Sequence, residues 1–433
     1  MIMDVAEQVS KHLPRTPEPT IPLVDQYCSY YQDLFPDVRS YEYFKLLHLG
    51  IISNLKRKSL PELEKVLGVS SQSLHHFLTS SPWLLSELDQ RRLNKLVEIL
   101  QGKKIILIVD ETGDRKKGNK TDYTARQYLG NVGKIDQGIV SVNVYGVYQN
   151  ITFPLMTKIY KPKSRLKVGD KYKTKTAIAG EMVRELKELG LEIEIVLADS
   201  LYGESSSFLE VLEELKLEYV VSIRKNHGVW MGANEKVRAN KWCKFTRTFR
   251  DGKRETRYIR EIIYGKKRRI TYWEMTTDTE NLPKNSTSFV RTNCQGNLKK
   301  RLGDLYGQRT WVEYGFRQCK QELGWKDYRL TKIESIEKWW GLINSVYTMV
   351  SLQTKPLREL LFSEEEKKEE IEEKEPINSW KTSLKKIMMM IEPLILFWLI
   401  TPWLKMVNSS RLLEGLNNLL SITHDSKLYF PTG

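Results

Sequence analysis

Cysteine is scarce in this 433-residue chain. Only Cys28, Cys243, Cys294 and Cys319 occur, with no CxxC pair and none at zinc-ligand spacing from a histidine. That excludes a disulfide-stapled scaffold and a zinc finger, and it reads as reduced thiols in a cytoplasmic protein. Neither GxGxxG nor GxxxxGKS is present, so no nucleotide cofactor is expected. The opening MIMDVAEQVSKHLPRTPEP lacks a basic segment followed by an apolar core, which argues against a secretory signal. Long apolar runs are wanting as well. IMMMIEPLILFWLITPWL is interrupted by Glu392, Pro393 and Pro402. It falls short of the ~20 residues a membrane span needs and reads as a buried, broken helix. Acidic residues, finally, are outnumbered: 54 Asp and Glu stand against 69 Lys and Arg, a formal charge of +15.

What is present is a 40% apolar chain, long enough for two to four packed units. Its charge favours a polyanionic partner, because each phosphate neutralised releases condensed counterions. Nucleic acid is the first expectation, an anionic membrane the second. The excess is concentrated: Arg224 to Trp273 holds 16 Lys or Arg against 4 Asp or Glu.

Residues 1–102 show helical patterning and no convincing strand. In SLPELEKVLGVSSQSLHHFLTSSPWL, Ser59 and Pro61 suit a helix start, Gly68 a stop, and Ser70 or Ser71 a second start. This is a helix-turn-helix pattern whose second helix would present Gln72, Ser73, His75 and His76 to DNA; an ordinary helical hairpin fits the same residues. From Lys104 the texture changes. KIILIVD is a buried strand ending at Asp110, GIVSVNVYGVY and ITFPLMTKIY form a hairpin across Gln149 and Asn150, and TKTAIAGEMVRELKELG is a helix. EIEIVLADS, SFLEVLEELKL and YVVSIRKN add strand, helix and strand.

That order is the order of a ribonuclease-H-like core. The fold class expected is therefore α/β: a mixed five-stranded sheet, interrupted by a basic β-rich insert, with an N-terminal helical domain and C-terminal helices. The segments read as a helical DNA-binding domain (1–102), the first part of the core (103–225), the β insertion with a turn at Gly265 (226–297), the second part of the core (298–353), and a charged linker with C-terminal helices (354–433). LKKRLGDLYGQRTWVEYGFRQCKQELGW, Leu298 to Trp325, reads as one long helix.

Asp110 and Asp199 each close an apolar strand, where the groups of an α/β site converge. Each can equally cap the helix that follows. Glu111 and Asp114 are alternatives to Asp110, and Lys116 and Lys117 are either phosphate contacts or a solvated loop. In the helix after the insert, Tyr306, Arg309, Glu313 and Lys320 are spaced to share one face. Arg309 and Glu313 alone would make a surface ion pair of a few tenths of a kcal/mol.

The Tyr-Arg-Glu-Lys spacing, IVDETGDRKKG around Asp110 and LADSLYGE around Asp199 resemble the signatures of bacterial transposases of the insertion-sequence-four clan. RTWVEYGF and GWKDYRL further resemble the insertion sequence seven-hundred-and-one family. The resemblance, over roughly residues 40 to 350, implies a cut-and-paste DNA transposase. Asp110, Asp199 and Glu313 would hold two Mg²⁺ or Mn²⁺ ions, which suit hard oxygen donors and relieve the repulsion among three carboxylates. Tyr306, Arg309 and Lys320 would contact phosphates, and Arg268 and Arg269 would bind DNA. Trp242, Trp273 or Trp230 would stack on a flipped base. Double-stranded DNA (transposon ends and target), a second copy of the chain and a bacterial cytoplasmic setting complete the implied picture. A domesticated DNA-binding regulator and a structure-specific nuclease without strand transfer remain the alternatives.

Overall fold

The computed structural model describes residues 15–130, 132–249, 253–266, 269–361, 379–407, 411–412 and 414–415. The expected charged linker at 364–376, the stretch 1–14 and Arg268 lie outside the described residues.

Helices come first: α1 (Pro22–Ser29), α2 (Val38–Ile52), α3 (Leu60–Leu67), α4 (Ser71–Thr79) and α5 (Leu85–Ile99). Then follow β1 (Ile105–Arg115), β2 (Ala125–Leu129), β3 (Lys134–Tyr148), β4 (Ile151–Ile159), α6 (Lys175–Glu188), β5 (Ile193–Ala198), α7 (Ser200–Gly203), α8 (Ser206–Glu214) and β6 (Tyr219–Ile223). The basic stretch supplies β7 (Val237–Ala239), β8 (Cys243–Thr248), β9 (Arg254–Tyr264), β10 (Thr271–Thr276) and β11 (Ser288–Thr292). The chain returns to helix in α9 (Leu298–Gln308), α10 (Trp311–Arg317), a π-helical turn (Gln318–Glu322), α11 (Ile333–Leu352), α12 (Lys355–Arg358) and α13 (Trp380–Val407). These elements fall into two compact units, Met1–Arg92 with Lys320–Gly433, and Leu93–Cys319.

In the helical unit, the α3–turn–α4 pair forms where the sequence places it. Gly68 takes a left-handed φ of 65° to end α3, and the Ser70 hydroxyl accepts a hydrogen bond from the Ser73 amide to start α4. Leu63, Leu67, Leu74, Phe77 and Leu78 bury the inner faces. At the other end of this unit's sequence the expectation needs correcting, because α13 runs unbroken through Pro393 and Pro402. Pro393 deprives only the Met389 carbonyl of its helical donor, and it does so on the exposed side of the helix, where Met389 is 73% exposed. Trp380, Leu384, Ile387, Ile391 and Leu394 bury the opposite stripe. Among the described residues no helix is long and apolar enough to cross a membrane.

The second unit is a mixed α/β structure on one large sheet. β3 and β4 form the expected hairpin, with Gln149 and Asn150 both at positive φ as a tight two-residue turn requires. β1 lies between β3, to which it is antiparallel, and β5, to which it is parallel; β6 continues in parallel beside β5. All five strands read from the sequence are thus adjacent. The sheet does not stop there: β11 pairs antiparallel with β6 and leads on to β10, β9 and β7, giving eleven strands in all. The basic stretch therefore satisfies the open edge of β6. Short β2, with no apolar run to announce it, pairs with the first half of β3.

Two boundaries differ from expectation. β1 does not end at Asp110 but continues to Arg115, because its polar half pairs residue by residue with β3. The long helix expected over 298–325 is divided. Backbone bonds such as Arg309 N–H to Tyr306 O and Glu313 N–H to Thr310 O tighten it to a 3₁₀-type pitch, and the π-helical turn then loosens it.

Candidate active site

The last parallel pair between β1 and β5 is Val109 with Ala198. Asp110, within β1, and Asp199, just past the end of β5, are the next residues, and the Asp199 carboxylate acts electrostatically on Asp110. Asp199 also caps the short helix α7, its Oδ1 accepting from the Leu201 amide at 2.9 Å. Capping and site-building are thus combined in one residue. The position of α7 is fixed by Gly203, where a Cβ would fall 1.9 Å from the Ser222 carbonyl oxygen of β6. Only glycine allows this approach. Just beyond, Glu204 accepts from the Arg224 amide at 2.7 Å and lies 2.8 Å from His227 Nδ1, pinning the turn to the end of β6.

Asp110 is poorly compensated. Its side chain is 15% exposed, and one oxygen accepts from the Glu111 amide at 2.8 Å. The other lies 3.4 Å from Arg309 Nη1, long for a charge-assisted bond. Burial pushes the Asp110 carboxyl up to about 7; Arg309 opposes the rise, and Asp199 and Glu111 add to it. Glu111, on the opposite side of the strand, is well held by Lys175 Nζ at 3.1 Å and the Tyr202 hydroxyl at 3.0 Å. Neither partner is visible from spacing along the chain, and both are additions to the residues read from the sequence.

Arg309 is the hub of the edge. Tyr306, Asp110, Asp199 and Glu313 all hold its guanidinium charged against the cost of burial. Glu313 lies 3.7 Å from Arg309 Nη2 with its side chain 57% exposed. It faces the guanidinium and solvent, so the structure joins the two aspartates directly and Glu313 through Arg309. Among the described residues, no three Asp, Glu, His or Cys stand close enough to hold one metal ion. The helical break that places Arg309 is itself braced from the basic stretch: Arg247 Nη2 donates to the Gly307 carbonyl at 3.1 Å and lies 3.4 Å from Thr310 Oγ1. Arg247 is a further supporting residue that the sequence reading missed. One turn on, Gly315 leaves room for the Tyr145 ring of β3, which would lie 2.5 Å from an added Cβ.

The other expected residues scatter. Lys320 belongs to the helical unit and sits in the π-helical turn. In that unit also, Gln72, His75 and His76 are exposed on α4, while Ser73 is half-buried with its hydroxyl 2.9 Å from that of Ser70. Together with Arg15, Arg39 and Tyr43, the residues Gln72, Ser73 and His76 line an open cleft. Arg269 is exposed. Trp273 must be corrected: it is 5% exposed and packs in the core with Phe245, Ile259 and Met275, so its ring has no face for a base. Its place on β10 turns it inward, which the basic neighbours in sequence disguised. Trp242 is half-buried beneath the Arg260 guanidinium, 4.2 Å from its ring centre, whereas Trp230 is 93% exposed. Asp114 is buried, Lys117 exposed and Lys116 half-buried; burial lowers the Lys116 ammonium from its usual range.

Residues 33–246 match the family described as DDE superfamily endonuclease. Over 330 residues the chain is 53% identical to the probable transposase for insertion sequence element IS701 of Microchaete diplosiphon, a match covering 76% of this chain and 87% of that protein. The chain belongs to the IS701 family of DDE transposases. Endonucleases of this superfamily work with divalent metal ions, and this IS701-family member is a metal-dependent transposase acting on DNA. The stretch matched to the superfamily contains Asp110 and Asp199 but ends before Arg309 and Glu313.

The donors at the edge fit such a cation. Two neighbouring carboxylates offer hard oxygen ligands, and burial together with the nearby carboxylates raises Asp110 towards neutrality. The cation facing Asp110 is the loosely seated guanidinium of Arg309.

Proposed function

We propose that this protein is a cut-and-paste transposase whose catalytic edge is built by Asp110, Asp199 and Glu313 on a ribonuclease-H-like core of β4, β3, β1, β5 and β6. The observation carrying this reading is the placement of Asp110 and Asp199 immediately after the last parallel pair of neighbouring strands. The sheet order β3-β1-β5-β6 supports the core, and the strands from residue 226 to 297 are its insertion.

In this reading Asp110, Asp199 and Glu313 would hold Mg²⁺ or Mn²⁺. Two ions bound there would supply Lewis acidity for an attacking water or 3′-hydroxyl and for the departing 3′ oxygen. The protein's own groups do the positioning. Arg309, already suspended between Asp110 and Glu313, is suited to a bidentate grip on a phosphate flanking the scissile bond, with Tyr306 and Lys320 contributing further contacts. Lys175 and Tyr202 hold Glu111 on the far side of β1, which keeps the Asp110 backbone in register.

The α3–turn–α4 pair reads terminal inverted repeats through Gln72, Ser73, His75 and His76, and Arg269 contacts the duplex. Trp230 has the exposure a base-stacking platform needs. Two copies of the chain pair the two transposon ends in the cytoplasm, at the nucleoid.

The test is a labelled terminal-repeat duplex incubated with Mg²⁺ or Mn²⁺. Asp110→Asn, Asp199→Asn and Glu313→Gln each abolish nicking and joining while retaining duplex affinity. Full activity in any one of them removes that residue from the mechanism. Nicking without joining in the wild type favours a nuclease, and binding with neither favours a regulator.

A further inference from the structure

We propose that residues 160–175, between β4 and α6, form with residues 115–122 a preorganised surface for the phosphate backbone of duplex DNA at the Asp110 edge. The proposal rests on that edge being the catalytic one. Within the first segment Lys161, Lys163, Arg165, Lys167, Lys171, Lys173 and Lys175 stand against a single acid, Asp170; the second holds Arg115, Lys116, Lys117 and Lys120 against Asp122. The segments are joined by Arg165 Nη2 donating to the Asn119 carbonyl at 3.0 Å and by Lys167 with Asp122 at 2.8 Å. The array reaches β1 at the residue next to Asp110, where its last member, Lys175, holds Glu111 at 3.1 Å on the other side of the strand.

Much of the array is held in place within the chain. Asp170 is the internal tie, bound by Lys161 at 2.5 Å, by the Tyr123 hydroxyl at 2.8 Å and by the Lys167 amide at 2.8 Å. Three tyrosines are spaced among the cations. The ammonium groups of Lys161 and Lys167 lie 4.9 and 5.4 Å from the centre of the Tyr123 ring, Lys163 lies 4.7 Å from Tyr172, and Lys175 lies 5.6 Å from Tyr160. Asp136 pairs with Arg115 at 3.0 Å, Glu181 with Lys173 at 2.7 Å and Glu111 with Lys175 at 3.1 Å, yet the cations still outnumber the acids around them, and a polyanion relieves the repulsion that remains. Lysine predominates and no side-chain amide projects from residues 160–175, so the chemistry suits phosphate charge and not base edges. Because Lys161, Lys163, Arg165, Lys167 and Lys175 are already held, ordering them on binding costs little side-chain entropy. This surface is separate from the strongly basic strands β8 and β9 in sequence.

The test uses the full chain carrying Lys117→Ala, Lys163→Ala and Lys171→Ala together, three lysines outside the ion pairs just described. Affinity for a terminal-repeat duplex and for an unrelated duplex is measured by fluorescence anisotropy across a salt titration. The expected result is the same fractional loss on both duplexes, at least about tenfold at low salt, with the slope of log K against log salt shallower by about 0.9 for each phosphate contact removed. The corresponding triple arginine variant should restore both, which separates charge from folding. An unchanged slope, a loss confined to the terminal repeat, or a loss seen only on anionic vesicles overturns the proposal. Asp110→Asn run alongside keeps the two readings apart: if it still cleaves, the catalytic-edge assignment fails; if it is dead while the alanine triple binds normally, the loop surface alone fails.

Discussion

Two buried polar clusters of this transposase, one in each unit, are treated in opposite ways. In the helical unit, the fully buried His48 lies 2.8 Å from both the Phe44 carbonyl and Ser345 Oγ, and the Tyr27 hydroxyl donates to the Ser345 carbonyl at 2.9 Å while accepting from Tyr31 at 3.1 Å. Lys45, 4% exposed on its side chain, is met by Asp25 at 2.7 Å and the Glu18 carbonyl at 2.6 Å. In the sheet unit, Asp110 has one short bond from its neighbouring amide and a guanidinium at 3.4 Å, with two more carboxylates acting on it. Satisfied burial specifies structure; unsatisfied burial stores a demand for charge that a ligand can meet.

The sharpest way to break the comparison is to neutralise one member of each set. Asp110→Asn should lower metal-dependent cleavage on the order of a thousandfold and leave unfolding by denaturant unchanged or harder, since it removes a buried, repelled charge. His48→Ala should do the reverse. It costs about 2–3 kcal/mol of stability by opening a cavity and orphaning partners, with cleavage per folded molecule intact. Equal loss of stability in both variants would dissolve the distinction. Gly203→Ala should damage both properties, because the Cβ would meet a backbone carbonyl at 1.9 Å that cannot yield. A loss of about 3 kcal/mol is expected, accompanied by weakened cleavage as α7 and Asp199 shift. A variant that is destabilised yet cleaves normally would show that α7 does not position Asp199.

The contrast also explains what the sequence could reveal. The apolar strands, the Gln149–Asn150 turn, the Ser70 cap and the two aspartates were legible because each depends on residues close in the chain. The polar half of β1 was not, since residues 111–115 look like loop and become strand only by pairing with β3. The pairing of Glu313 with Arg309 could be read from their spacing, but the break of the helix could not: equal helical spacing assumes one uniform helix, and the backbone tightens there and then widens. Lys175 and Tyr202 meet Glu111 from 64 and 91 residues away, so no local pattern announces them. Trp273 was misplaced because charge dominates its surroundings in sequence, while alternation along β10 turns it to the core.

Protonation gives the finest discrimination, because the two burials bend stability in opposite directions with pH. Asp110 is raised from 3.8 to about 7 by burial, so the folded unit prefers its proton. That contribution is fully present below about 4 and is lost as pH rises through about 7, a swing of roughly 4 kcal/mol at 1.36 kcal/mol per unit. His48 is lowered by burial from 6.5 to about 4. Its contribution is present above 6.5 and is lost as pH falls through 4, roughly 3 kcal/mol by the same conversion. Denaturant titrations should therefore show little net slope between pH 4 and 7 in the wild type, a loss on acidification in Asp110→Asn, and a gain on acidification in His48→Ala. Mn²⁺ sharpens the same comparison. By displacing the Asp110 proton it should raise the unfolding midpoint more at pH 8 than at pH 6, and it should lose that effect in Asp110→Asn while keeping it in His48→Ala. A midpoint that responds to Mn²⁺ equally at both pH values would mean that the ion binds away from Asp110.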